Sequence, residues 1–219
     1  MRADIPQATQ TGDFYVLAIE CVADDGAPLL PPVPGLPDSC FANDGQLTKR
    51  EVRAIVLSRL APVPGGLLWD LGAGCGSVAI EWMRAARGAR AICFEKNAAR
   101  CEMIGENARA LGVPTLEVAN GHVPECLGDR PQPDAIFIGG DAGNEALFEA
   151  AFAELRPGGR LVANAVALGG EAALIKRLQT HGGDLVRVGV SHLDNIGEVK
   201  VLRPRMDVTI WSVVKGTGS

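Results

Sequence analysis

Apolar runs that alternate with amphipathic segments dominate the chain from residue 46 onwards. Short apolar runs predict strands at 66–71, 90–95, 115–119, 134–139, 184–190 and 207–214, and one more after the turn LRPGG at 155–159. Apolar residues at helical spacing predict helices at 77–87, 97–112, 143–155 and 170–182. Strands that alternate with helices form a parallel sheet with right-handed crossovers, but no helix separates the last two strands. We therefore predict an α/β fold: a doubly wound, mostly parallel seven-stranded sheet with an antiparallel last strand.

A further helix is predicted ahead of the first of these strands. Residues 48–60, TKREVRAIVLSRL, carry apolar side chains at helical spacing. Thr48 is the expected N-cap, and Glu51, three residues later, completes a capping box. Residues 191–206, before the last strand, show no clear period and are predicted to form a long loop.

The first 45 residues have a different pattern. FYVLAIECVA at 14–23 predicts one buried strand, and five prolines between residues 28 and 37 prevent regular structure in the stretch that follows. A lone strand ahead of a linker suggests the end of a preceding domain. The expected division is residues 1–45, a remnant strand plus linker, and residues 46–219, the main domain.

Composition narrows the class of protein. The 219 residues are 47% apolar and 21% charged, with a net charge of −5, which is ordinary for a globular protein and argues against a nucleic-acid partner. No apolar run is long enough to span a membrane, and the first residues lack the apolar core of a signal peptide, so we expect a cytoplasmic protein. The six cysteines form no C-x-x-C pair, and none has a histidine at ligand spacing; we expect no metal site.

The candidate ligand-binding feature is a glycine-rich turn in LLWDLGAGCGSVAIEW, residues 67–82. Gly72, Gly74 and Gly76 follow a predicted strand directly, and in doubly wound sheets ligands bind beyond the carboxyl ends of the strands. A dinucleotide fingerprint, G-x-G-x-x-G/A, requires Gly or Ala where this chain has Ser77. The turn therefore fits a pyrophosphate poorly, and an NAD-dependent oxidoreductase is disfavoured.

Two carboxylates near the turn indicate another ligand. Asp70 precedes the first glycine by two residues and is expected at the mouth of the turn, where an acid repels a phosphate but suits a cation. Glu95 ends the next strand, where a carboxylate can accept hydrogen bonds from both ribose hydroxyls. Together they suggest a nucleoside with a cationic amino-acid tail, S-adenosylmethionine. The alternatives are a plain strand-to-helix corner and a solvated strand end.

Several segments resemble known methyltransferases. DLGAGCGS, FEKN and LRPGG resemble the class I S-adenosylmethionine-dependent methyltransferases, and this resemblance implies a Rossmann-like fold. DGQLTKREVRA, NGHVPECL and PDAIFIGGDAG are similar to the cobalamin-pathway precorrin methyltransferases, in particular to the carboxyl-terminal domains of the decarboxylating C5,15-methyltransferases. The resemblance covers residues 45 to 215. It implies that residues 14–23 are the last strand of an amino-terminal methyltransferase domain.

The resemblance also implies a set of cofactor contacts, with S-adenosylhomocysteine as the product. The expected cofactor-binding residues are Thr48, Asp70, Gly72, Ala73, Gly74, Cys75, Gly76, Glu95, Lys96, Gly121, His122, Val123 and Gly139. His122 stands where relatives often have an aspartate that meets the adenine amino group. It remains open whether His122 is a general base, a neighbour of the adenine or a solvated loop residue.

On the acceptor side, Gly139 and Gly140 leave open space for a flat macrocycle, and Asp141 either orients a pyrrole N–H or caps the following helix. A substrate that carries many carboxylates calls for arginines. Candidate substrate-binding residues are Arg50, Arg53, Gly140, Asn164, Arg203 and Arg205, with Lys200 nearby. Asp141 and His122 are the candidate catalytic residues.

The resemblance implies methyl transfer to C15 of a precorrin, a tetrapyrrole, with loss of the C12 acetate carboxyl as carbon dioxide. Alternatives are a class I methyltransferase that acts on another small molecule or on a protein, and a module that binds S-adenosylmethionine without turnover. The resemblance further implies a homo-oligomer, a tetramer, and a partner in the amino-terminal domain of the full-length enzyme. Neither nucleic acid nor membrane is an expected partner.

Overall fold

The structure, a computed structural model, describes residues 16, 18, 20, 22–27 and 29–216. The chain divides into two compact units, Met1–Leu30 and Pro31–Ser219. The described residues of the first unit contain a turn, in which the Ala27 amide donates to the Asp24 carbonyl, and no helix or strand. Half of the residues of the strand expected at 14–23 lie outside the described residues, and the described half, 16, 18, 20, 22 and 23, is not in a strand.

The larger unit has five α-helices and nine strands among its described residues. The helices are α1 (Arg50–Leu60), α2 (Ser77–Ala85), α3 (Ala98–Ala110), α4 (Glu145–Glu154) and α5 (Leu168–His181). The strands are β1 (Leu67–Leu71), β2 (Arg90–Glu95), β3 (Glu117–Asn120), β4 (Ala135–Ile138), β5 (Arg160–Ala165), β6 (Asp184–Val188), β7 (Ser191–Ile196), β8 (Val199–Pro204) and β9 (Val208–Val214). A short 3₁₀ helix occupies Asp38–Cys40.

Seven strands form one sheet in the order β3-β2-β1-β4-β5-β9-β6. The first five are parallel, and β9 runs antiparallel to both β5 and β6. The predicted α/β fold with an antiparallel last strand is thus confirmed. The strand order reverses between β1 and β4, which places a topological switch point at the carboxyl ends of these two strands.

The central strands are buried on both faces, which explains their continuous apolar runs. Every residue of β1 and of β4 is buried. The Trp69 ring meets the Phe94 ring edge-on, with 5.3 Å between centroids, and Trp211 of β9 packs into the same core. Helix packing on both faces therefore holds the carboxyl ends of β1, β2 and β4 in fixed positions.

Strands β7 and β8 form a hairpin apart from the main sheet, where the sequence predicted a loop. Ile196 pairs with Val199 across the two-residue turn Gly197–Glu198, and Gly197 has φ 61°. Glycine at the first central position of a two-residue hairpin turn is favoured because that position requires a positive φ. The hairpin lacked a periodic signal because apolar residues lie on both of its faces and most of them are exposed.

The predicted capping box of α1 is absent. The helix begins at Arg50 after Lys49, and no side chain caps it. The Thr48 carbonyl instead accepts a 2.6 Å hydrogen bond from the Arg53 guanidinium. The Arg53 side chain is occupied by this contact and by others that hold residues 35–48 against α1 and α2.

The proline-rich stretch 31–45 packs onto the larger unit. Leu36 and Phe41 are buried, and the Gly35 and Leu36 amides donate to the Glu81 carboxylate of α2 at 2.6 and 2.9 Å. The Asn107 side chain of α3 accepts from the Ala42 amide and donates to the Ala42 carbonyl. The stretch is thus an ordered segment held against helices α1, α2 and α3. The division of the chain at residue 45 stays a prediction.

Candidate cofactor and substrate cleft

A cleft of about 940 Å³ lies at the carboxyl ends of β1, β2, β4 and β5, at the switch point of the sheet. It is the position where open α/β sheets bind their ligands. The sequence-predicted residues that line it are Thr48, Gly72, Ala73, Gly74, Glu95, Lys96, Gly121, His122, Val123, Gly139, Gly140, Asp141, Asn164 and Arg205. The structure therefore brings most of the predicted cofactor residues into one cavity.

The glycine loop, residues 72–76, connects β1 to α2. The Gly72 and Ala73 amides donate to the Phe94 carbonyl of β2, which ties the loop to the neighbouring strand. A Cβ on Gly74 would lie 2.8 Å from the Gln46 carbonyl oxygen, and one on Gly76 would lie 2.9 Å from Ile104. Both glycines also have positive φ, 61° and 77°. Glycine is required at these positions because the loop passes close to its neighbours and adopts a conformation that other residues disfavour.

Glu95 is a cleft acid that main-chain amides hold in place. Its carboxylate accepts the Gly74 amide through Oε2 and the Asn97 amide through Oε1, both at 3.0 Å. The Asn120 side chain and the Gly121 amide donate to its carbonyl oxygen. Two main-chain donors thus fix the orientation of a buried carboxylate at the cleft wall. Each carboxylate oxygen keeps a second lone pair for a ligand hydroxyl.

Asp70 lies in β1 and is buried, away from the mouth of the turn where the sequence placed it. Its Oδ2 accepts the Ala79 amide of α2 at 3.2 Å, and its Oδ1 has no hydrogen-bond partner. Burial and, to a smaller extent, the negative charge of Glu95 raise the pKa of this carboxyl to about 7, although the hydrogen bond from the Ala79 amide lowers it. Asp70 is therefore partly protonated near neutral pH, and it does not line the cavity.

A pH-dependent stability difference is expected for Asp70→Asn. The pKa of Asp70 is raised in the folded state, so ionisation costs the folded protein free energy as pH rises from the unfolded value towards 7. The unfolding free energy of the variant minus that of the wild type should grow over this window by at most about 1.4 kcal/mol per pH unit and level off above it. Urea unfolding of both proteins from pH 4.5 to 8 measures it. A difference that does not change with pH would contradict the assignment.

The loop between β4 and α4, residues 139–144, forms another wall of the cleft. A Cβ on Gly139 would lie 2.8 Å from the Phe137 ring, whereas nothing lies within 4 Å of the Cβ position of Gly140. Asp141 has φ 59°, and its carboxylate accepts the Asn144 side-chain amide at 3.0 Å. The cap of α4 is Asn144, which accepts the Leu147 amide at 3.1 Å. Asp141 is therefore not a helix cap; it is an exposed acid beside an open stretch of wall.

Of the predicted arginines, only Arg205 lines the cleft. Arg53 is 0% exposed and binds Glu81, Asp38 and the carbonyls of Leu36 and Thr48. Arg203 pairs with Asp194 across the hairpin at 2.8 Å, and the Arg50 side chain lies against Gly35. Arg53 is a structural residue because its donors are used inside the protein.

Cys75 and Gly76 belong to the glycine loop but not to the cavity lining. The Cys75 side chain is buried, and its carbonyl accepts from the Asn107 side chain. The described cysteines, at positions 40, 75, 93, 101 and 126, are all free thiols. Within the described residues, no cluster of His, Cys, Asp and Glu is arranged to hold a metal ion. In the same part of the chain, every helix is too short or too polar to serve as a membrane span.

The side of the cleft formed by the β6–β9 region was not predicted from the sequence. Cleft residues from the β6–β9 region that were not predicted are Val188, Val190, His192, Pro204, Met206 and Val208. His192 Nε2 lies 3.5 Å from the Glu51 carboxylate, so the hairpin meets α1 near the cavity. Gly45, Gln46 and Leu47, between the proline-rich stretch and α1, also line the cleft. The residues from the β6–β9 region were missed because the β7–β8 hairpin was not predicted.

The chain matches a known protein family over most of its length. The family model described as a precorrin methyltransferase domain matches residues 39–215. The chain is 49% identical over 201 residues to a precorrin-6Y C(5,15)-methyltransferase [decarboxylating] of Sinorhizobium sp. The aligned residues are 92% of this chain and 49% of that protein. The chain thus spans about half the length of that relative.

A shorter relative and a solved structure are matched over most of their own length. The cobalt-precorrin-6B C(15)-methyltransferase (decarboxylating) of Salmonella typhimurium is 30% identical over 173 residues, which are 77% of this chain and 89% of that protein. The crystal structure of the C-terminal domain of precorrin-6Y C5,15-methyltransferase from Rhodobacter capsulatus is 41% identical with a TM-score of 0.80; the match covers 85% of this chain and all of that one.

Proposed function

The chain belongs to the precorrin methyltransferase family, and from this premise we propose that it transfers a methyl group from S-adenosylmethionine to C15 of a precorrin. We propose that the same site promotes loss of the C12 acetate carboxyl as carbon dioxide. The observation that carries the proposal is the cleft itself: Glu95, fixed by the Gly74 amide, and the open wall at Gly140 line one cavity.

The residues present fit S-adenosylmethionine, which when bound supplies an electrophilic methyl group on a sulfonium. Glu95 would accept the ribose hydroxyls, since its oxygens are already oriented by two main-chain amides. The close-packed glycine loop leaves its backbone accessible to the amino-acid tail. In its ionised form the Asp70 carboxyl, with its unpaired Oδ1, would favour a cation at this end of the cleft, and a bound cation would in turn stabilise that form.

The segment after β3 would hold the adenine. Gly121, His122 and Val123 line the cleft directly beyond Glu95, and Lys96 follows Glu95 on the other side. His122 is exposed and takes the place where relatives often carry an aspartate, so a main-chain amide of this segment would meet the adenine amino group instead.

The residues beside Gly140 would place the methyl acceptor. C15 of a precorrin belongs to a conjugated enamine and is itself the nucleophile, so the protein's main task is to hold donor and acceptor in line. Such positioning contributes up to about 7–11 kcal/mol to lowering the barrier. Asp141 would accept a pyrrole N–H, and Asn164 at the end of β5 would bind the macrocycle edge. The conjugated ring can take up the electrons released when the acetate carboxyl leaves.

The carboxylates of the substrate call for cations at the rim of the cleft. Arg205 lines the cavity, and its amide is held by the Val190 carbonyl at 2.8 Å, which fixes the base of its side chain. Lys49, Lys96 and Arg100 line it as well. Arg50 and Arg203 would act only at the periphery, and Arg53 is fully buried among partners inside the protein.

Incubation of the protein with precorrin-6B or cobalt-precorrin-6B and S-adenosylmethionine labelled in the methyl group tests the proposal. We expect label at C15 and release of carbon dioxide, both abolished without protein. Label transferred only to another small molecule or to a protein would identify a different class I methyltransferase. Binding of S-adenosylhomocysteine in calorimetry with no methyl transfer to either precorrin would identify a binding module.

We also propose that the chain acts as a homo-oligomer, a tetramer, and that an amino-terminal methyltransferase domain is its partner in a full-length enzyme. The β7–β8 hairpin supports the proposal of a homo-oligomer. Leu193 and Leu202 face each other across it and are 66% and 70% exposed, while the same hairpin lines the cleft with His192 and Pro204. Opposed exposed leucines on one ribbon favour burial against another copy.

Lysine at both Leu193 and Leu202 should therefore yield a smaller species than the wild type. Light scattering after size-exclusion chromatography measures the mass. Lysine in place of Ile175, which is exposed on α5, is the matched control and should leave the mass unchanged. A wild-type monomer, or an unchanged mass of the double variant, would contradict the role given to the hairpin.

A further inference from the structure

Arg177 of α5 is buried behind the cleft rather than inside it. It is 2% exposed, and its guanidinium donates to the Ala142 carbonyl at 2.5 Å and to the Asn144 carbonyl at 3.3 Å. The group stacks on the Phe148 ring, 4.1 Å from its centroid, and the Glu145 carboxylate lies at 3.7 Å. Its main hydrogen bonds therefore go to the backbone of the loop 139–144.

Packing alone does not explain an arginine at this position. Burial lowers the pKa of the guanidinium, because the charged form loses water, and its Nε–H has no hydrogen-bond partner. Replacing a buried charge with an apolar residue of similar volume is often neutral or stabilising. A methionine on α5 would fill the same space against Phe148 without these costs. Besides the charge contacts with Glu145 and the Phe148 ring, what a methionine would lose here is the two hydrogen bonds to loop carbonyls.

The loop that Arg177 holds is the acceptor side of the cleft. Gly140 leaves open space, and Asp141 presents its carboxylate from a backbone at φ 59°, a conformation that non-glycine residues disfavour. The Asn144 amide donates to the Asp141 carbonyl at 2.9 Å, so Asp141 sits inside a tight turn. Such strained conformations persist only where the surroundings determine them. Arg177 binds two carbonyls of this turn: that of Ala142, inside the turn, and that of Asn144, at its end.

We propose that Arg177 is a positioning residue for the methyl acceptor: it holds the loop 139–144 so that Asp141 faces the cleft and the space at Gly140 stays open. This inference rests on the proposed function for the identity of the acceptor. The residue does not touch the cavity and acts only through the loop. It also makes no contact with Glu95 or with the glycine loop, so the cofactor half of the site should not depend on it.

Arg177→Met and Arg177→Lys, with Lys176→Met as the control, separate this role from a general one. Lys176 is the neighbour on α5 and forms only an exposed pair with Glu145. Hydrogen–deuterium exchange should speed up at residues 139–144 in Arg177→Met and stay unchanged in the control. Calorimetry should give the same affinity for S-adenosylhomocysteine in all four proteins. The kcat/KM for precorrin-6B should fall about 10- to 100-fold in Arg177→Met, because small misplacements of a reactant cost that much in rate.

Arg177→Lys keeps the charge and one donor to the loop, so it should recover part of the loss in kcat/KM; it also serves if Arg177→Met does not fold. An unchanged kcat/KM, or an affinity for S-adenosylhomocysteine that falls in step with it, would overturn the proposal. Unchanged exchange at 139–144 would overturn it as well. If the wild type transfers no methyl group to precorrin-6B, the proposed function fails, while the exchange result still decides whether Arg177 holds the loop.

Discussion

Replacing Glu95 with glutamine should weaken the binding of S-adenosylhomocysteine by about 100-fold or more, because each hydrogen bond from a ligand to a charged acceptor contributes roughly 1.5–3 kcal/mol. The loss has a second cause in this fold. Both carboxylate oxygens accept main-chain N–H groups, from Gly74 and from Asn97. The amide nitrogen of glutamine would have to face one of these donors, so the side chain would leave the orientation that a ribose requires.

Isothermal titration calorimetry with S-adenosylhomocysteine measures this effect. Glu102→Gln is the matched control, because Glu102 is an exposed glutamate on α3 and the change in charge is the same. Circular dichroism should show that both variants are folded. Equal affinity in Glu95→Gln and in the wild type would mean that the nucleoside lies elsewhere, and the proposed cofactor site would be wrong.

Arg53→Met should be among the most destabilising single substitutions in the chain. Arg53 and Glu81 form a buried ion pair at 2.7 Å, and Glu81 also accepts the Gly35 and Leu36 amides. Removal of one partner of a buried pair leaves an uncompensated charge and typically costs about 3–5 kcal/mol. The same change frees the Leu36 and Thr48 carbonyls, so residues 35–48 should loosen over the cleft.

Urea unfolding monitored by circular dichroism measures the loss. The double variant Arg53→Met with Glu81→Gln should be more stable than Arg53→Met alone, because a neutral amide can still accept the Leu36 N–H without a buried charge. Lys176→Met removes an exposed pair with Glu145 and should change the unfolding free energy by no more than about 1 kcal/mol. If Arg53→Met lowers the unfolding free energy no more than this control does, the Arg53–Glu81 pair does not hold residues 35–48 in place.

The main sheet could be predicted because its signals are local. The central strands are buried on both faces and appear as unbroken apolar runs, as LLWDL does in β1. Each helix between them shows its apolar side through spacing alone. The β7–β8 hairpin could not be predicted in this way, since its apolar residues lie on both faces and most are exposed. Its turn, Gly197–Glu198, was the only available signal.

The candidate site was predictable where chain position alone decides geometry. Gly72, Gly74 and Glu95 follow or end adjacent parallel strands, so they had to meet at one edge of the sheet. Asp70 lies in β1 and Arg53 lies in α1, two elements that border the cleft, yet both side chains are buried away from the cavity. Which way a side chain faces depends on the partners that tertiary packing offers it, and sequence spacing does not contain that information.

By itself, then, the sequence determined the order of the helices and of the strands of the main sheet, the antiparallel last strand and the cradle built from the glycine loop and Glu95. All of these follow from periods and spacings within a single element and its neighbour. The tertiary structure decided the rest: the Arg53–Glu81 pair, 28 residues apart, the contact of Arg177 with Ala142, 35 residues apart, and the hairpin side of the cleft. Buried charges find their partners only after distant segments have packed together, because their cost is set by the surroundings that packing creates.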